Sequence, residues 1–136
     1  MPTVSLTFAG ALALLNLWLA FRVIQVRHAG KVLVGDGDNP ALLCRMRAQA
    51  NFVEYTPFIL ILMGLIELSG GPKPWLWGIG IVYVLGRIVH AFGMDKRSMP
   101  NPLRAAGALV TWLILAGLAL WAIWMASHAP AAVHYL

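Results

Sequence analysis

The chain has 136 residues, of which 60% are hydrophobic and 11% charged, and a formal net charge of +5. A soluble domain carries about 25% charged residues, so this composition excludes a water-soluble fold and describes one integral membrane domain over residues 1–136. The basic residues sit in two loops rather than along an exposed face interleaved with aromatics, which excludes nucleic acid as a partner.

The first helix is predicted over about residues 3–28, with an apolar stretch from Val4 to Phe21 interrupted by Asn16. No basic residue precedes that stretch, so it reads as a retained anchor rather than a cleaved signal. Asn16 shares a face with Val23 and Arg27 and is expected to make an interhelical hydrogen bond. The segment Gly35-Asp36-Gly37-Asp38-Asn39-Pro40 is turn chemistry leading into a helix, with Asn39 as N-cap and Pro40 first in the helix. Asp36 and Asp38 suggest a calcium loop, but Pro40 occupies the fifth ligand position and no glycine follows, so no metal site is assigned.

The second helix is predicted over about residues 40–68, roughly 43 Å at 1.5 Å per residue against a hydrocarbon core of about 30 Å. Its first turns therefore project from the membrane. Arg47, Asn51, Glu54 and Tyr55 fall within one arc of roughly 100°. Asn51 and Glu54 lie about 6 and 10 Å deeper than Arg47. Arg47 can snorkel to the interface, whereas Glu54 is too short and too deep. Ionisable groups inside a span are costly, which makes this stripe the leading candidate site. Pro57 is expected to kink the helix just beyond it.

The turn Gly70-Gly71-Pro72-Lys73-Pro74 leads into a third helix over about residues 74–94, with Trp75 and Trp77 at the interface. Gly78, Gly80 and Gly86 are expected to allow close helix contacts. Tyr83, Arg87, His90 and Met94 form a second polar stripe. Arg87 lies at the depth of Glu54, and an ion pair between the two is expected. The fourth helix, about residues 102–127, opens on Asn101-Pro102, and Arg104 sits in its first turn, where unpaired N–H groups favour an anion.

Nine of the ten basic residues flank the first and third loops, and Lys73 alone lies on the other side. This asymmetry places those loops in the cytoplasm and both termini opposite. The expected fold is all-α, an up-down four-helix membrane bundle. Arg22, Lys31, Lys96 and Arg97 read as ordinary helix-end charges, and His90 taken alone reads as a packing histidine. Arg27, Arg47, Arg87 and Arg104 come from four helices and are expected to converge beside Asn51, Glu54 and Tyr55. Such a set suits a small, carboxylate-rich ligand, since a guanidinium binds carboxylates bidentately and each charge-assisted hydrogen bond contributes roughly 1.5–3 kcal/mol.

The segment Arg47-Ala48-Gln49-Ala50-Asn51-Phe52-Val53-Glu54-Tyr55-Thr56-Pro57 resembles the helix 2 signature of the membrane-associated proteins in eicosanoid and glutathione metabolism, the MAPEG family. Arg87-Ile88-Val89-His90 is similar to that family's helix 3 motif, and Gly35-Asp36-Gly37 with His90-Ala91-Phe92-Gly93-Met94 resembles its small bacterial branch. The likeness covers about residues 20–112. It implies a homotrimer that binds glutathione between protomers near the cytoplasmic surface. By position, Arg47, Gln49, Asn51, Glu54, Tyr55, Arg87 and His90 would form the glutathione site, although Gln49 points to the opposite helix face. Arg104 and Arg27 are the two candidates for activating the thiol. Met94 stands where family enzymes carry a tyrosine, and Ala50 where prostaglandin-E synthase carries an arginine.

The expected function is that of a glutathione transferase or glutathione-dependent peroxidase of the bacterial inner membrane. Glutathione is its cosubstrate, and small lipophilic electrophiles enter from the bilayer. The alternative is a non-catalytic binding or scaffold protein of the same fold. A small multidrug exporter using Glu54 for proton coupling is disfavoured, because the surrounding arginines would repel cationic substrates.

Overall fold

The structure, a computed structural model described over residues 1–95 and 101–129, consists of four helices joined by short connections. They are α1 (Thr3–Gly30), α2 (Pro40–Leu68), α3 (Lys73–Asp95) and α4 (Pro102–Ser127). All four are long and apolar enough to cross a membrane. The expected boundaries hold to within two residues. Lys96 and Arg97 lie outside the described residues.

Local chemistry starts two of the helices. Asn39 Oδ1 accepts from the amides of Ala41 and Leu42 at 3.0 and 3.3 Å, and Pro40 follows it. Asn101 does the same for Leu103 and Arg104 at 3.1 and 3.3 Å. An asparagine cap contributes about 1 kcal/mol and satisfies amides that nothing else in the helix can. α1 has no side-chain cap of its own at Pro2. Its cap comes instead from Glu67, at the far end of α2, whose carboxylate accepts from the amides of Val4 and Ser5 at 3.0 and 2.8 Å and from the Ser5 hydroxyl at 2.8 Å. A carboxylate at a helix N-terminus also meets the positive end of the helix dipole.

The opposite end is clamped by charge. Asp95, the last residue of α3, pairs with Arg22 of α1 and, at 3.5 Å, with Arg45 of α2. Arg45 also donates to the Arg22 carbonyl at 2.8 Å, and the Arg22 guanidinium lies over the rings of Trp18 and Phe92. Arg22 is therefore a buried link between helices and not an ordinary helix-end charge.

These two sets of contacts fix the alternation of the helices, since each joins ends that only an up-down bundle brings together. α2 and α3 form the centre, with α1 and α4 on opposite flanks and not touching each other. Glycines set the closest approaches. A side chain at Gly93 would strike the α4 backbone at Arg104, one at Gly107 would strike α3 at Gly86 and His90, and one at Gly80 would strike the Phe8 ring. Gly86 faces Val110 as a contact glycine, whereas Gly78 meets open space, contrary to expectation.

Candidate functional site

α2 turns Phe52, Thr56 and Ile59 into the bundle, and Asn51 stands half-buried at the edge of that stripe. Opposite, α3 directs Tyr83, Arg87 and His90 inward, with Arg87 only 1% and His90 only 4% exposed. The Arg87 Nη1 donates to Asn51 Oδ1 at 2.8 Å and to Thr111 Oγ1 at 3.2 Å. The Thr111 hydroxyl in turn donates a hydrogen bond to the Gly107 carbonyl at 2.9 Å. The Phe52 ring lies 5.5 Å from the guanidinium carbon, and the hydroxyls of Thr56 and Tyr83 share a 2.7 Å hydrogen bond. A positive charge inside the bundle is thus met by neutral oxygens and a ring face. Arg87 Nε and His90 Nδ1 have no hydrogen-bond partner among the described residues.

The expected pair between Glu54 and Arg87 does not form. Glu54 is exposed and, among the described residues, within salt-bridge distance of no cation. The physical reason is azimuth. Depth along the two helices matches, but Glu54 sits about 60° around α2 from Asn51, on the outward side, so Asn51 meets the guanidinium instead. Arg47 is likewise exposed.

The four arginines expected to converge are divided. Arg87 and Arg104 both act electrostatically on His90, and Tyr55 lies close enough to interact with Arg87. Arg27 is elsewhere. It lines an α1–α2 groove of about 500 Å³ together with Gln49 and Met46, donating to the Gly35 carbonyl at 2.9 Å and towards the Met46 sulfur at 3.4 Å. At Arg104 the first-turn amides are not free for an anion, because Asn101 takes those of Leu103 and Arg104. Among the described residues Asn16 makes no interhelical hydrogen bond, and its buried Oδ1 has no partner there.

With four membrane-length helices and this polar layer in place, the family model for MAPEG matches residues 5–124. The chain belongs to the MAPEG family. It is similar to the inner membrane protein YecN of Escherichia coli strain K12, 34% identical over 122 residues that cover 89% of this chain and 91% of the relative. YecN of Escherichia coli O6:H1 strain CFT073 matches to the same extent. Helical period and motif spacing miss two polar residues of this MAPEG protein. Thr111 is a lone hydroxyl in the middle of an apolar span, a type that glues helices together, and that isolation is the available signal. Asp95 offers none, because its partners are 50 and 73 residues away.

Proposed function

We propose that this MAPEG protein is a membrane-bound glutathione transferase or glutathione-dependent peroxidase acting on small lipophilic electrophiles. It would work as a homotrimer in the bacterial inner membrane, with the loop joining α1 and α2 and the connection joining α3 and α4 in the cytoplasm. One observation carries the reading. Glu54 lies in the middle of α2, about 20 Å from either end, exposed on the protomer and in no ion pair among the described residues, two turns from an exposed Arg47. A carboxylate there facing hydrocarbon would be costly, so that face belongs against a second protomer and a ligand with complementary charges. Glutathione carries two carboxylates and an ammonium group, and the helix 2 signature is the one the family uses for it. The inner-membrane placement follows the name of the YecN relative.

The chemistry asked of the protein is small. A free thiol has a pKa near 8.5, and a guanidinium beside the sulfur raises its thiolate fraction at neutral pH. The thiolate attacks the electrophilic carbon, a C–S bond forms, and the leaving group departs with its electron pair. With a hydroperoxide it attacks the terminal oxygen instead, and an S–O bond forms as the O–O bond breaks. The alkoxide leaves and takes a proton to become the alcohol, and a second glutathione thiol resolves the sulfenic acid to disulfide and water. Arg104 is favoured over Arg27 for the thiolate, because its guanidinium makes no hydrogen bond among the described residues while that of Arg27 holds the α1–α2 loop. That engagement of Arg27 also favours the second reading, a glutathione-binding protein without turnover.

Titration of purified protein with glutathione, followed by assay with chlorodinitrobenzene and a fatty hydroperoxide, tests both. Saturable binding with turnover supports the enzyme, binding alone supports the second reading, and no binding refutes both. Single cysteines at Asp38 and Lys73 should label from opposite sides of the membrane, and labelling from one side would overturn the orientation.

A further inference from the structure

We infer that Arg87 is a positioning residue that holds the Asn51 amide with its NH2 group turned outward, so that this point of the site reads an oxygen acceptor on the ligand. The inference rests on the glutathione reading and specifies what Asn51 recognises, a carboxylate or peptide carbonyl.

The argument starts from donor and acceptor inventories. A guanidinium has five N–H donors and no acceptor, so the amide atom of Asn51 that lies 2.8 Å from Arg87 Nη1 must be the oxygen. Thr111 cannot take over that role from Asn51. Its oxygen already accepts from Arg87 at 3.2 Å, and its proton is committed to the Gly107 carbonyl at 2.9 Å. Rotating the amide by half a turn would set N–H against N–H, beside a cation that is 1% exposed and has no carboxylate in reach among the described residues. One orientation is therefore imposed. The Asn51 nitrogen makes no hydrogen bond among the described residues, yet it is not one of the buried unpartnered atoms, on a residue that is half-buried. Two N–H donors are left at an accessible edge of α2, on the same arc as Arg47 and Tyr55. Arg87 itself is sealed inside the protomer, so it acts on a ligand only through Asn51.

Calorimetric titration of glutathione into the detergent-solubilised wild type, Asn51→Asp, Arg87→Gln and the double variant tests this. Asn51→Asp keeps the shape and gives Arg87 an ion pair, but presents an oxygen where the donors were. It should melt no lower than wild type while binding glutathione about ten-fold more weakly or worse. Arg87→Gln frees the amide to turn and should weaken binding in the wild-type background but add nothing in the Asn51→Asp background. An Asn51→Asp variant that binds like wild type overturns the inference, as does an Arg87→Gln loss of equal size in both backgrounds, the mark of a merely structural role. If Arg87→Gln does not fold, the Asn51→Asp titration decides alone. A wild type that binds no glutathione refutes the functional reading itself, and is seen before any variant is made.

Discussion

The two polar faces of α2 are built from similar residues and end differently. On the inner side the Asn51 oxygen and the Thr56 hydroxyl find partners on α3, and α4 adds Thr111, so that polarity joins helices, while the Asn51 NH2, at the edge between the faces, stays available to a ligand. On the outer side Arg47 and Glu54 are exposed, and no ion pair among the described residues includes either. A membrane chain has no water at mid-span to satisfy stray polar groups. The inner face therefore belongs to the fold, and the outer face is available for whatever the fold is for.

The sharpest break of this contrast is Asn51→Leu. It removes the nearer acceptor of a buried guanidinium and leaves Thr111 alone to meet the charge. Breaking a buried charged contact typically costs about 3–5 kcal/mol, so this variant should melt in detergent below Gly93→Ala, Asp95→Asn and Glu54→Gln. A shift comparable to that of a surface substitution would mean Arg87 finds another partner.

Next is Gly93→Ala. The added methyl would strike the Arg104 amide nitrogen, against backbone that cannot turn aside as a side chain can. The helices must part, at a cost of about 1–3 kcal/mol, and the same shift moves Arg104 relative to His90. Thermal melts and turnover should fall together. An unaltered melt would show that the α3–α4 contact has slack. Asp95→Asn should cost somewhat less, about 1–2 kcal/mol, because the Asp95 side chain is 33% exposed and its pairs with Arg22 and Arg45 are partly screened. Added salt should shrink the gap between this variant and wild type. A gap independent of salt would argue that the Arg22 contacts with Trp18 and Phe92, rather than its charge pair, hold that end.

What can be read in the sequence follows the range of the physics. The caps at Asn39 and Asn101 are legible because an asparagine followed by proline acts on its own next turn. The spans are legible from apolar length, and the inward stripe of Tyr83, Arg87 and His90 from helical period. Period assigns residues to faces but does not say which neighbour each face meets. Depth alone therefore pairs Arg87 with Glu54, when rotation about α2 puts Asn51 there. Contacts made by distant ends, such as Glu67 with the start of α1 or Asp95 with Arg22, have no local pattern at all. Of the site residues, Arg47 and Glu54 lie exposed on the outer side of α2, Asn51 and Tyr55 are half-buried at its inner edge, and Gln49 and Arg27 share a separate groove against α1.

The smallest expected effect on stability comes from Glu54→Gln, and it separates the two faces most directly. Among the described residues Glu54 has no partner that a carboxamide would lose, and exposed substitutions of this kind usually stay within about 0.5 kcal/mol. The melt in detergent without glutathione should therefore match wild type. Binding should not. If the outer face receives the ligand's ammonium group or a neighbour's arginine, removing the negative charge deletes a charge-assisted hydrogen bond in a water-poor setting, and glutathione affinity should fall about ten-fold or more. Both quantities come from one preparation, by thermal melt and by titration, with cross-linking to report whether the oligomer survives. A melting loss as large as that of Asn51→Leu would mean Glu54 has an inner partner after all, and the division between the faces would fail. An unchanged melt with unchanged affinity and assembly would leave the exposed carboxylate without a task and move the ligand to another surface. A stable protomer with weakened binding is the outcome expected of a residue that the fold does not use.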